Sequence, residues 1–137
     1  MTEVTFYLSD ATDSAIRQSL AWRLALKAIR QDRQVFIHCP NASAASALDE
    51  QFWHTPATGF LPHCLVGEGK APVLIGCGNP GDCHDVLINL DLQVPDIVSR
   101  FQRVAELVSG DAEQRQQGRE RFRYYQSRGF PLRTHTL

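Results

Sequence analysis

The sequence predicts a single α/β sandwich, and three observations predict it. Short apolar runs alternate with longer segments of helical periodicity, 43% of the 137 residues are hydrophobic, and no internal repeat or low-complexity linker divides them. The order strand, helix, strand, helix argues for helices packed on a sheet whose first two strands pair in parallel. A chain of this length buries a substantial core as one domain, expected to span residues 1–137.

VTFYL, Val4 to Leu8, reads as a buried first strand. SDATDS supplies turn and cap residues before a helical pattern from Asp13 to Arg30. Ile16, Leu20 and Leu24 form one stripe of it and Trp22, Leu26 and Ile29 a second, wide enough to lie against a sheet. QVFIHC, residues 34–39, is the next strand; Pro40 and Asn41 stop it, and ASAASALDEQFW gives a helix ending near Trp53. After an irregular stretch, VLIG (Val73 to Gly76) and DVLINL (Asp85 to Leu90) are expected as central strands. Ile97, Phe101, Val104 and Val108 stand at helical spacing, so a helix is expected from Pro95 to Gly110. Asp111 then caps a last helix that runs to Arg128, where Gly129 stops it.

No run of about 18 apolar residues suggests a membrane span, and Met1-Thr2-Glu3 does not open a signal peptide, so a soluble cytoplasmic protein is expected. Cys39, Cys64, Cys77 and Cys83 are scattered without the dense pattern of a disulfide scaffold, which favours reduced thiols. The formal net charge of -1 conceals an asymmetry: residues 1–114 carry 8 basic and 14 acidic groups, whereas residues 115–137 carry six arginines and one glutamate. The chain therefore ends in a local positive field that favours an acidic partner, either a phosphate backbone or a carboxylate-rich peptide.

Gly76, Gly78 and Gly81 in GCGNPG have the spacing of a dinucleotide loop behind a strand. Such a loop must open a helix whose amides face the phosphate, yet DCHDVLINLD resumes as strand, and Pro80-Gly81 reads as the turn of a hairpin-like connection. Cys77, Cys83 and His84, with His63 or Cys64, offer zinc-type ligand atoms but no C-x-x-C pair, and nothing selects a Cys-His nucleophile couple. Trp53, Phe60 and Leu61 lie in or beside a loop rich in proline and glycine, where they either fold back on the core or mark a protein interface.

The segment GRERFRYYQSRGF, Gly118 to Phe130, carries the clearest functional signal. On a helix Arg115, Arg119, Phe122 and Arg123 share one face, with Tyr125 on its flank. Guanidiniums around an aromatic ring can fork-bond carboxylates and also cover an apolar side chain, which suits an acidic peptide with an aromatic end. The same face could be solvated with its aromatics turned inward, or could bind nucleic acid, although one short basic cluster on an acidic protein neutralises few phosphates.

TFYL (Thr5 to Leu8), LDEQFW (Leu48 to Trp53), FLPHCLVGEG (Phe60 to Gly69), APV (Ala71 to Val73), DVLINL and RERFRYYQSRGF (Arg119 to Phe130) together resemble the chi subunits of bacterial DNA polymerase III, nearly end to end. The resemblance implies a Rossmann-like three-layer α/β sandwich with a largely parallel central sheet and no cofactor, metal or catalytic residue. It implies two partners, the psi subunit and the acidic C-terminal tail of single-stranded-DNA-binding protein, with DNA reached only indirectly. The tail-binding residues it implies are Val108, Arg115, Arg119, Phe122 and Arg123, with Tyr125 nearby, and the psi contacts are Trp53 and Phe60. Arg115 and Arg123 stand where that family often has lysine, and Phe122 where it often has tyrosine, so charge is kept and a hydroxyl donor is lost. A small α/β nucleotide- or nucleic-acid-binding protein that uses the C-terminal arginine helix is the alternative.

Overall fold

The computed structural model describes residues 2–54 and 61–137. Among the described residues, seven strands and three α-helices follow in the order β1 (Glu3–Leu8), α1 (Ile16–Arg30), β2 (Val35–His38), α2 (Ala42–Trp53), β3 (His63–Leu65), β4 (Val73–Gly76), β5 (Val86–Asn89), β6 (Arg103–Val108), α3 (Ala112–Ser127) and β7 (Leu132–Thr136). The strands form one sheet in the order β3-β4-β2-β5-β6-β1-β7, and every pairing is parallel. Parallel neighbours need crossovers, and these pass over both faces to give the three layers of a doubly wound sandwich.

One apolar layer joins α1 and α2 to Val35, Ile37, Val73, Ile75, Ile88, Ala105 and Leu107. The other joins Phe122 and Tyr125 of α3, together with Ile97, Val98 and Phe101, to Val4, Phe6, Phe36, Leu87, Val104 and Val108. Strands buried on both faces are mostly apolar, as β2 is from Val35 to Ile37 before buried His38. Asn41 caps α2 by accepting from the Ala44 amide at 2.7 Å, and Gly129, at φ +79°, ends α3 in the left-handed region that glycine adopts at little cost. Asp111 stands at the start of α3, but its side chain makes no capping hydrogen bond.

Four expectations need correction. Residues 95–110 do not form a helix: a short 3-10 turn, Val98–Arg100, leads into β6. Strands β1 and β2 are parallel but do not pair, because β5 and β6 lie between them. The turn at Pro80-Gly81 is not hairpin-like, since β4 and β5 are parallel and β2 separates them. The fourth is the expected Asp111 cap, whose side chain makes no capping bond; in addition, β3 and the edge strand β7 form in stretches where the sequence predicts no strand.

Candidate functional site: an arginine-rimmed pocket on helix α3

The two loops that leave the carboxyl ends of β1 and β6 lead to α1 and α3 on opposite faces, the place where doubly wound sheets hold nucleotides. Here backbone fills it. The Gly110 amide donates to the Ala11 carbonyl at 2.8 Å, and a Cβ on Gly110 would lie 2.2 Å from the Asp10 carbonyl oxygen, so the loops clasp each other with no room for a ligand. The glycine triplet offers no phosphate loop either. Gly78 and Gly81 adopt φ of +80° and +61°, the Gly78 amide is spent on His38 Nδ1 at 3.0 Å, and β5 follows instead of a helix.

What α3 presents depends on how it sits on β6 and β1. Gly118 lets the helix approach so closely that a Cβ there would meet Val108 Cγ2 at 2.9 Å. Below, Glu106 is completely buried, and three side chains donate to it: Arg121 Nε at 2.9 Å, Tyr125 Oη at 2.7 Å, and Asn89 Nδ2 at 3.0 and 3.2 Å to its two oxygens. Burial pushes the Glu106 carboxyl up from its ordinary value, and Arg121, Tyr125 and Asn89 pull it back. The same burial, with the Glu106 charge second, raises the Tyr125 phenol, so the hydroxyl remains a donor. Arg121 also donates to the Leu92 carbonyl at 3.1 Å. A fully buried ion pair is costly unless its charges are hydrogen-bonded, as the Glu106 carboxylate is by three side chains. Here it fixes the rotation of α3 about its axis.

That rotation leaves a pocket of about 160 Å³ between α3 and β1, floored by Phe6, Leu8, Val108 and Gly118 and walled by Phe122, with Arg115 and Arg119 on its rim. The Phe122 ring is half-buried and packs edge-on against Phe6 at 5.3 Å. Arg119 and Arg123 are exposed, and Arg115 is tied to Asp10 at 2.8 Å. Arg115, Arg119 and Arg123 recur every four residues, which sets successive Cβ atoms about 5–6 Å apart and makes a row of cations along the helix beside an apolar hole. A cavity of about 150 Å³ lined by apolar side chains holds a benzene ring. The opening thus has the size of one aromatic ring, and the guanidiniums on its rim can bond carboxylates.

Of the six residues expected here, Val108, Arg115, Arg119 and Phe122 line the pocket and Arg123 extends the rim. Tyr125 is a correction. It has no exposed surface and lies behind the pocket, edge-on to Phe6 at 5.9 Å, because its hydroxyl is drawn inward to Glu106. Sequence reasoning missed Phe6, Leu8 and Gly118; the alternation of Val4, Phe6 and Leu8 along β1 was the available signal for the first two.

Trp53 closes α2 at the opposite edge of the sheet, about half exposed, with its ring 4.1 Å from that of buried His63. Phe60 lies outside the described residues. Leu61 is buried in the α1–α2 layer, so this end of the loop folds back on the core. The candidate metal ligands are dispersed: His63 and Cys64 sit on β3, Cys77 follows β4, Cys83 is buried in the α3 layer, and His84 packs near Phe101. Among the described residues no three His, Cys, Asp or Glu gather into a metal site. Burial pushes the Cys39 thiol up to about 12, which makes it a poor nucleophile.

Fold and candidate site together define a doubly wound parallel α/β protein whose nucleotide crevice is closed and whose arginine-rimmed pocket lies between α3 and β1. The family described as "DNA polymerase III chi subunit, HolC" matches residues 1–133, and the chain belongs to that family. It is 44% identical over 139 residues to DNA polymerase III subunit chi of Pseudomonas aeruginosa, covering 100% of this chain and 98% of the relative. The subunit of that name in Escherichia coli strain K12 is 35% identical over 146 residues, covering 99% of each chain. That of Haemophilus influenzae is 28% identical over 137 residues, covering 96% of this chain and 95% of the relative. Among the described residues no helix is long and apolar enough to cross a membrane.

Proposed function

We propose that this chain is a non-catalytic adaptor of the DNA polymerase III holoenzyme. Its α3 pocket captures the acidic C-terminal tail of single-stranded-DNA-binding protein, and the Trp53 end of α2 meets the psi subunit. Membership of the chi family supports the place in the assembly. The observation that carries the tail reading is the ring-sized apolar pocket with arginines on its rim. Exposed cations attract the acidic residues of the tail from a distance, its last aromatic ring fills the pocket against Phe122, and its terminal carboxylate accepts from Arg115 or Arg119. Once the ring displaces water, the charge-assisted bonds at the rim are partly shielded and gain strength.

Fluorescence anisotropy of a labelled acidic peptide ending in phenylalanine tests this. Binding should weaken with salt and on C-terminal amidation, and Arg119→Glu should lower affinity more than about tenfold, or about 1.4 kcal/mol. Equal binding of the amidated peptide, or an unchanged affinity in the variant, would remove the carboxylate contact.

A further inference from the structure

The sheet carries a second, larger concavity on its other face. Helix α1 packs chiefly over β2, β5 and β6, so β1 and β7 are left largely open on that side, with Tyr7 of β1 reaching the α1–α2 layer. Parallel sheets are normally covered on both faces. The uncovered strip is the floor of a groove of about 620 Å³ walled by α1. Strand register decides what lines it. Val4, Phe6 and Leu8 point into the α3 layer, which turns Glu3, Thr5 and Tyr7 to the groove; Glu3 pairs with Arg103, Thr5 with Arg133, and Tyr7 with His135.

The groove collects cations. Lys27, Arg33, Arg103 and Arg133 line it against a single carboxylate, Glu3. Arg33 is neutralised by Asp85 at 2.9 Å, but Lys27, Arg103 and Arg133 are exposed and make no ion pair among the described residues. These three come from α1, β6 and β7, so they bracket the floor from both sides. Between them lie two rings: Tyr7 and His135 meet edge to face at 5.7 Å, with His135 exposed. Arg103 is near enough to Tyr7 to pull its phenol back down against the rise that burial imposes.

We infer that this groove binds single-stranded nucleic acid directly, with phosphates on Lys27, Arg103 and Arg133 and an unpaired base against His135 and Tyr7. Cations along a sheet face with interleaved rings suit a ligand that offers phosphates and bare base faces together. A duplex keeps its base faces inside its own stack, and an acidic peptide without aromatic side chains would use the cations but leave the rings without a counterpart; competition by polyglutamate separates the two. The site is separate from the α3 pocket, since it lies on the other face of β1 and has its own charges.

The experiment is anisotropy of a labelled oligothymidylate with the full chain at low salt, alongside Arg103→Glu/Arg133→Glu, Lys27→Glu and Arg119→Glu. We expect saturable binding with a log–log salt slope of about -2, three contacts at about 0.7 each. Affinity should fall at least tenfold in the double variant and measurably in Lys27→Glu, an exposed helix substitution that spares the sheet. Arg119→Glu should leave it unchanged, and the acidic peptide should still bind the double variant, which reports that the fold is intact. No binding by the wild-type chain would overturn the inference. So would loss confined to Arg119→Glu, which would make α3 the phosphate site, or displacement by polyglutamate as readily as by unlabelled oligothymidylate, which would make the groove a peptide site.

Discussion

Asp10 governs how much of Arg115 a ligand can use. Its carboxylate holds one guanidinium nitrogen at 2.8 Å, while the same nitrogen reaches toward the Ser9 carbonyl at 3.5 Å, so the proposed acidic ligand would compete with a resident anion. Asp10→Asn removes the competitor and a repulsive charge. Exposed pairs of this kind are worth about 0.2–1 kcal/mol, so the variant should bind the acidic peptide about 1.4-fold to fivefold tighter in the anisotropy titration. Weaker binding would mean that Asp10 instead holds Arg115 in the productive orientation. At this scale the arginine face was legible, because helical spacing alone puts Arg115, Arg119 and Arg123 in a row. Tyr125 was not, because spacing gives an angle around the helix and not a depth. Its burial was decided by an acceptor on a neighbouring strand, Glu106.

That acceptor also explains why β6 was hidden. Residues 104–108 are buried on both faces, so they show no period-two alternation of polar and apolar residues. Glu106 among Ile97, Phe101, Val104 and Val108 resembles the polar side of a helix, whereas it is a core carboxylate satisfied by Arg121, Tyr125 and Asn89. The pairing of β1 with β6 in place of β2 was equally unreadable, since periodicity finds strands but not their neighbours. The buried network makes α3 and β6 one mechanical unit and carries a prediction for stability. Tyr125→Phe leaves Glu106 short of one donor and should cost about 1–3 kcal/mol in urea denaturation at neutral pH. Tail affinity in folded protein should change little. The phenol is raised in the native state, so its contribution is complete below the unfolded value of about 10 and is lost as pH rises, at about 1.4 kcal/mol per unit. Wild type should therefore lose stability above about pH 10 more steeply than Tyr125→Phe; equal slopes would show that Tyr125 ionises as readily folded as unfolded.

Across the whole molecule, strand order sets the distance between the two proposed partner sites. Trp53 packs on His63 of β3, at one edge of the sheet, and its helix belongs to the α1–α2 layer. The ring-sized pocket lies over β1 on the α3 layer. Five inter-strand steps of about 4.8 Å separate β3 from β1, roughly 24 Å, and the sheet itself stands between the two faces. Perturbations more than about 7–10 Å apart with no shared partner add independently. A chain built this way can hold both ligands at once without either changing the affinity of the other, as a passive link requires. Trp53→Ala should weaken psi binding by about 2 kcal/mol, the loss of an aromatic anchor, and leave the acidic peptide unaffected, while Arg119→Glu should do the reverse. In calorimetric titrations of the double variant the two losses should add to within about 0.5 kcal/mol. A shortfall beyond that, or peptide affinity that rises when psi is bound, would mean that the rigid parallel sheet couples the two sites and that the adaptor senses one partner through the other.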